Sequence, residues 1–158
     1  MHLYADLLLL LPFGNDLWPV VLGNSPDSIK IFRLQKKIIR IMAGCRYRDS
    51  CKKLFINLEI LPIPSQYILS LLTFMIRSQF LANSEIHHIN TRQHANFHEP
   101  SVNVAKYQKG VYYLGVKVFS ALPSDIKIEF NNPKKFKGVL QKFLCEKTFY
   151  SLHEYFDV

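Results

Sequence analysis

The segment from Tyr67 to Leu81 most constrains the fold of this chain, because it is apolar on nearly every face of a helix. Such a helix has to be covered on all sides by other segments, so the sequence predicts a central core helix. The segment is shorter than the roughly 18 apolar residues that cross a bilayer, and it contains Arg77 and Gln79. Pro64 precedes it and fits the first turn of a helix, where no backbone N–H is needed.

A second helical pattern, from Asp27 to Gly44, is amphipathic. Asp27 or Ser28 can cap its beginning, and Gly44 suits its end. At about 100° per residue, its apolar side chains fall on one half of the helix and its basic side chains on the other. The apolar half consists of Ile31, Phe32, Leu34, Ile38, Ile39, Ile41 and Met42, and the basic half of Lys30, Arg33, Lys36, Lys37 and Arg40. The pattern predicts a basic amphipathic helix.

Basic residues continue into a shorter helix that Asp49 or Ser50 can cap and that extends to Leu58. Between Lys30 and Lys53 nine residues are basic and Asp49 is the one acid. The whole chain has 20 Lys and Arg against 12 Asp and Glu, a net charge of +8. A dense basic surface lowers the free energy of a bound polyanion through phosphate contacts and counterion release. The charge balance therefore predicts an acidic partner, and nucleic acid is the strongest candidate.

An aromatic residue lies inside this basic stretch, since Tyr47 stands between Arg46 and Arg48. A tyrosine in that setting can stack on an unpaired base while its neighbours contact phosphates. The candidate nucleic-acid-binding residues are Lys30, Arg33, Lys36, Lys37, Arg40, Arg46, Tyr47, Arg48, Lys52 and Lys53. The alternative is that these charges only solubilise a helical surface.

The remaining segments favour an all-α fold. Residues 83–108 are polar without a sustained period and predict a long polar loop. Residues 110–122 favour a helix, with a minor β element near 107–119 as the open alternative. Pro133 begins a clear helix with Phe136, Val139, Leu140, Phe143 and Leu144 inward, and a short helix follows over 151–156. We expect a poorly defined segment over 1–26 and a single helical region over 27–158.

No catalytic or metal-binding motif stands out. The six aspartates are scattered, and none belongs to the paired-carboxylate motif that holds two Mg²⁺ ions for nucleotidyl transfer. A glycine-rich phosphate loop, a nucleophile elbow and a zinc-protease helix motif are also missing from the sequence. His94 and His98 have a spacing that zinc tolerates, but Cys45 and Cys51 are spaced too widely for a compact finger. We therefore expect no cofactor, no metal and no catalysis by this chain on its own.

The three cysteines, Cys45, Cys51 and Cys145, are an odd number in a chain with no recognisable secretion signal. A disulfide framework is therefore not expected. We predict an intracellular protein, cytoplasmic or nuclear, with no membrane span.

Several blocks of the sequence resemble one family in their order along the chain. The first blocks are Gly23-Asn24-Ser25, Ile31 to Gly44, Asp49 to Phe55 and Leu58 to Ser65. The later ones are Asn90-Thr91-Arg92, Gln108 to Tyr113, Leu122 to Lys127 and Phe149 to Leu152. Together they are similar to the region after the polymerase domain in reverse transcriptases of jockey-like non-LTR retrotransposons, and the resemblance covers about residues 20–156.

The resemblance implies the thumb end and C-terminal extension of an RNA-directed DNA polymerase. Its catalytic aspartates would lie upstream, in a polymerase domain that this chain lacks. Arg33, Lys36, Lys37 and Arg40 would then lie near an RNA–DNA template–primer or target DNA. We expect a non-catalytic, nucleic-acid-contacting fragment whose partners are nucleic acid and the missing polymerase domain. The alternatives are a helical protein–protein interaction module and a retroelement remnant without function.

Overall fold

The computed structural model describes residues 27–77 and 110–157, and these residues are helical with no β-strand among them. In the first stretch α1 spans Ser28–Met42, α2 Lys52–Asn57 and α3 Ile63–Arg77. In the second, α4 spans Val111–Ser120, α5 Ser124–Lys127, a 3₁₀ turn Ile128–Asn131, α6 Pro133–Lys147 and α7 Leu152–Phe156. The all-α prediction is confirmed. None of these helices is both long enough and apolar enough to span a membrane.

Three sequence expectations concern segments that lie partly or wholly outside the described residues. The minor β element near 107–119 is wrong for residues 111–119, which form α4. Tyr112 and Tyr113 favour strands, but Val116 and Phe119 recur at helical spacing and are buried on one helix face. Residues 107–109, the predicted loop over 83–108 and the segment 1–26 lie outside the described residues.

The chain divides into two compact units, and each is described by itself. Of the described residues, the first unit contains 27–70 and 141–157, and the second 71–77 and 110–140. The boundaries fall within α3 and within α6.

In the first unit, the buried face of α1 is centred on Gln35, Ile38 and Ile39. Ile39 packs with Cys51 and Phe55, and Phe32 and Tyr150 close this cluster from the side. The predicted apolar half is therefore only partly correct. Leu34 and Ile41 are 53% and 56% exposed, and Met42 is exposed as well. Leu34 and Ile41 lie about 100–120° around the helix from Gln35, on the side of Lys37.

A single buried amide joins α1 to the beginning of α3. Gln35 is 1% exposed, and its Nε2 donates to the Leu61 carbonyl at 2.9 Å. Its Oε1 accepts from the backbone N–H of Ile63 at 3.0 Å. Ile63 is the first residue of α3, where an N–H has no partner within the helix. The Gln35 side chain satisfies that donor, so it fixes where α3 begins relative to α1.

The prediction that Pro64 occupies the first turn of this helix is confirmed. The core-helix prediction is partly correct as far as Arg77. One face is at most 2% exposed, whereas Leu69, Phe74 and Ile76 on the other sides are only half-buried. The buried face consists of Tyr67, Ile68, Leu71, Leu72 and Met75. Residues 78–81 of the predicted helix lie outside the described residues.

The C-terminal part of the first unit is fixed by a turn after α6. Thr148 has a φ of 53°, and its Oγ1 donates to the Cys145 carbonyl at 2.7 Å. This conformation buries Phe149, whose carbonyl accepts from the Ser65 hydroxyl at 3.3 Å. The ring of Phe149 packs edge-on against Tyr155 with centroids 5.2 Å apart. The turn thereby brings α7 into the unit that contains α1.

Aromatic packing forms the core of the second unit. Phe119 of α4 lies 5.5 Å from Phe130 and 6.4 Å from Phe136, measured between ring centroids. Gly115 of α4 faces Met75, and a Cβ at this glycine would lie 2.7 Å from the Met75 Sδ. The absence of a side chain is therefore what permits this close approach.

We predict that Gln35→Leu lowers the free energy of unfolding by about 1–3 kcal/mol, because it leaves the buried Ile63 N–H without its acceptor. Urea denaturation followed by circular dichroism measures this change. Gln141→Leu, at an exposed position of α6, is the matched control and should change stability by less than about 0.5 kcal/mol. Equal effects of the two substitutions would contradict the role assigned to Gln35.

Substitution by alanine should change the free energy of unfolding in opposite directions at two glycines of the second unit. Gly138→Ala should stabilise the protein by about 1 kcal/mol, because a Cβ there meets nothing within 4 Å and alanine favours helix over glycine. Gly115→Ala should destabilise it by about 1 kcal/mol, because the buried Met75 would have to move. Paired thermal melts measure both, and stabilisation by Gly115→Ala would show that Met75 has room to shift.

Candidate nucleic-acid interface

The turn after α1 folds the chain back along the basic side of the helix. Gly44 has a φ of +63°, a conformation that glycine adopts without strain at a helix end. The N–H of Cys45 donates to the carbonyl of Arg40 at 2.9 Å. This confirms the predicted end of the first helix at Gly44 and directs the following residues toward Arg40.

Residues 46–49 form a tight turn whose centre is occupied by Tyr47 and Arg48. The N–H of Asp49 donates to the Arg46 carbonyl at 3.1 Å. In return, the Asp49 carboxylate accepts from the N–H of Arg46 at 2.9 Å. Both bonds close the same turn, so its backbone has little freedom to open without losing them.

Arg40 fastens this turn to α1. Its Nε donates to the backbone carbonyl of Asp49 at 2.9 Å. Its guanidinium carbon then lies 5.7 Å from the centre of the Tyr47 ring, within the range of a cation–π contact. Arg40 thus holds both the backbone of the turn and the aromatic ring that the turn presents.

The result is one continuous surface, which we call the basic face. Arg33, Lys36, Lys37, Arg40 and Tyr47 line a common surface depression together with Leu34, and Arg46 and Arg48 flank Tyr47 in the turn. The basic face consists of Arg33, Lys36, Lys37, Arg40, Arg46, Tyr47 and Arg48. The depression therefore brings five of the ten candidate residues together, and Arg46 and Arg48 adjoin one of them, Tyr47, in the chain.

Five candidate cations are exposed and have no acidic partner among residues 27–77 and 110–157. They are Arg33, Lys37, Arg46, Arg48 and Lys53. Lys53 lies on α2, outside the basic face as defined. Lys30 differs, because its Nζ forms an ion pair with Asp27 at 2.9 Å. Asp27 is at the N-cap position of α1 but makes no side-chain capping bond.

Lys36 and Lys52 are anchored on aromatic rings. The Lys36 Nζ lies 4.6 Å from the centre of the Phe32 ring and 5.5 Å from that of Tyr150. The Lys52 Nζ lies 5.2 Å from the Tyr150 ring and forms an ion pair with Glu154. These two cations stabilise the fold of the first unit as well as adding positive potential to its surface.

Glu154 compensates the charge of Lys52 and fixes the backbone at the beginning of α7, which the Ser151 side chain caps. Its N–H donates to the Ser151 hydroxyl at 3.1 Å, and its carboxylate accepts from the N–H of Tyr150 at 2.8 Å. Burial raises the pKa of this carboxyl, but the hydrogen bonds from Lys52 and Tyr150 outweigh it, and the net pKa is lowered. Lys52 is therefore less available to a ligand than the sequence indicated.

The hydroxyl of Tyr150 lies buried beneath these cations without a hydrogen-bond partner in the described part of the chain. Its ring packs against Phe32 at 5.0 Å and Phe55 at 5.9 Å. Burial, aided by the neighbouring Cys51 and Glu154, raises the pKa of Tyr150 from 10.0 to about 12. The phenol thus stays neutral and serves the packing of the first unit.

Three residues on which this surface depends, Gln35, Asp49 and Glu154, are not among the candidates predicted from the sequence. Asp49 was expected only as a helix cap, whereas α2 begins after Cys51 and Asp49 closes the turn. The pattern Ser151-x-x-Glu154 is a recognisable capping signal, but the pairing with Lys52 joins residues 102 positions apart. No local pattern predicts such a pair.

The described residues contain no group of three or more His, Cys, Asp or Glu side chains that could hold a metal ion. Cys45, Cys51 and Cys145 are free thiols, and burial raises the pKa of Cys51 and of Cys145. His94 and His98 lie outside the described residues.

No protein-family model matches the chain, and no curated protein or solved structure matches it either.

We predict that Tyr150→Phe leaves the free energy of unfolding at neutral pH unchanged or raises it by up to about 1 kcal/mol, because it removes an unpaired buried hydroxyl and keeps the ring. The raised pKa adds a pH dependence. Between pH 10 and about 12 the unfolded state loses the Tyr150 proton first, so wild-type stability falls as pH rises. The variant should escape this part of the alkaline loss.

Urea denaturation from pH 7 to 12 tests this expectation, with Tyr47→Phe as the control at an exposed tyrosine. A loss of more than about 1 kcal/mol in Tyr150→Phe at neutral pH would mean that the hydroxyl has a partner in solution.

Proposed function

We propose that this chain binds the phosphate backbone of nucleic acid through its basic face, as a non-catalytic C-terminal part of a non-LTR retrotransposon reverse transcriptase. The observation that carries the proposal is the cluster of exposed cations around one exposed aromatic ring. Arg33, Lys37, Arg46 and Arg48 have no acidic partner among the described residues, and Tyr47 is 79% exposed in their midst.

Electrostatics favours a polyanion over a small anion on this surface. The four cations come from two adjoining elements, α1 and the following turn, and two of them, Arg33 and Lys37, line an open surface depression. Each contact with a phosphate releases condensed counterions, so the favourable contributions accumulate along a strand. Contacts of this kind position a nucleic acid without reading its sequence.

The resemblance to retrotransposon reverse transcriptases supports a specific ligand. In that setting the basic face would contact an RNA–DNA template–primer or target DNA, and a polymerase domain would supply the catalytic aspartates. The protein would act inside the cell and reach nuclear DNA.

A second candidate function is docking of a protein partner. The observation that favours it is the exposure of Leu34 and Ile41 on one side of α1, next to Met42 at the end of the helix. Apolar docking hardly depends on ionic strength, whereas phosphate binding weakens steeply with salt. The salt dependence of binding therefore separates the two functions.

The test is fluorescence-anisotropy binding of the chain to a labelled RNA–DNA hybrid across a salt series. A quadruple variant removes the four unpaired cations: Arg33→Gln, Lys37→Gln, Arg46→Gln and Arg48→Gln. If each contacts one phosphate, the slope of log affinity against log salt should flatten by about 3 to 4. Lys36 and Arg40 are left intact, because both also hold the fold.

A matched control removes the same charge from exposed positions of α6: Lys134→Gln, Lys137→Gln, Lys142→Gln and Lys147→Gln. This control should retain most of the affinity and slope. Equal weakening by both variants would mean that binding follows net charge and that the assigned surface is wrong. No binding by the folded wild-type chain at low salt would overturn the proposed function.

A further inference from the structure

Tyr47 is the most exposed of the large apolar or aromatic side chains on the surface of the described residues. Burial of the ring contributes almost no stability, yet several hydrogen bonds fix the turn that carries it. The turn that carries it is closed by the reciprocal bonds of Arg46 and Asp49. Arg40 then ties that turn to α1.

We propose that Tyr47 is a stacking platform for one unpaired nucleobase, with Arg40 as the residue that positions it. This inference rests on the proposed function and names its substrate class, a single-stranded or unpaired nucleotide. The guanidinium of Arg40 supports the ring from the protein side at 5.7 Å. The exposed remainder of the ring is available to a second flat group, and a nucleobase is such a group.

The surroundings of the ring select a nucleotide over other flat ligands. Arg46 and Arg48 are the chain neighbours of Tyr47 and both are exposed, so two further cations lie close to the residue that carries the ring. A strand whose base stacks on Tyr47 carries a phosphate on either side of that base. Aromatic stacking combined with a cationic track is the arrangement that binds single strands without sequence preference.

Duplex geometry excludes the same contact. In a paired helix each base already stacks on its neighbours and has no free face for a side chain. An exposed ring beside cations therefore favours a strand end, a gap or a single-stranded template over a continuous duplex.

The experiment compares two labelled strands of equal length, oligothymidylate and a strand in which the bases are replaced by abasic sites. Both carry the same phosphates, so their difference in affinity measures contacts with bases. We expect wild-type protein to bind oligothymidylate about tenfold more tightly than the abasic strand. Tyr47→Ala should lose that preference and bind the abasic strand as wild type does.

Three further variants make the result specific. Tyr47→Phe keeps the flat ring and should retain the preference, whereas Tyr47→Leu keeps an apolar side chain without a ring and should lose it. Arg40→Lys keeps the charge but lacks Nε, so it should reduce the preference for bases more than the affinity for the abasic strand. Circular dichroism checks that each variant is folded.

The outcomes distinguish this inference from the proposed function. If wild type binds both strands equally and Tyr47→Ala changes neither affinity, stacking is overturned while phosphate binding stands. If wild type binds neither strand nor the RNA–DNA hybrid, the proposed function itself fails. An equal loss on both strands in Tyr47→Ala would mean that Tyr47 supports the shape of the turn and does not stack.

Discussion

The amide of Gln35 is the constraint on which the rest of the first unit depends. It is almost fully buried and bonds the Leu61 carbonyl and the Ile63 N–H, which lie 26 and 28 residues away. A buried amide in an apolar interior is costly unless both its donor and its acceptor are satisfied. Both are satisfied when Gln35 faces the beginning of α3, so this polar contact acts together with the packing of Ile39 to set the rotation of α1. Arg33, Lys37 and Arg40 reach the opposite side of α1 as a consequence.

The surface that this rotation exposes is organised by hydrogen bonds to main-chain groups. The Nε of Arg40 donates to the Asp49 carbonyl, and the Asp49 carboxylate accepts from the Arg46 N–H. The one acid in the stretch therefore shapes the turn, and its single negative charge offsets only part of the positive charge of Arg40, Arg46 and Arg48. Lys36 and Lys52 illustrate the complementary case, since both rest on the Tyr150 ring and Lys52 also pairs with Glu154. Neighbouring cations therefore differ in role. Lys36 and Lys52 contribute to the fold, whereas Lys37 and Lys53 are exposed and available to a ligand.

Much of the fold could be predicted from local pattern. The first helix, its end at Gly44, the core helix after Pro64 and the helix from Pro133 all depend on spacing and capping within a few residues, and all are present. The sequence of residues 110–122 did not decide between helix and strand, because its apolar residues are β-favouring and also recur at helical spacing. The structure has the helix α4 there, and its Phe119 packs with Phe130 and Phe136. The exposure of Leu34 and Ile41 was not predicted, because helical spacing alone could not reveal that Gln35 belongs at the centre of the buried face.

The sequence by itself determined the helical character of the described residues, the charge of the stretch from Lys30 to Lys53 and the position of Tyr47 between two arginines. These properties follow from composition and short-range order, which a chain carries before it folds. Tertiary structure alone decided which cations form ion pairs, as Lys52 does with Glu154, and which have no acidic partner within residues 27–77 and 110–157. It also decided that Arg40 supports Tyr47. The physical reason is that an ion pair or a buried hydrogen bond depends on distances between atoms far apart in the sequence, and only the packed chain sets those distances.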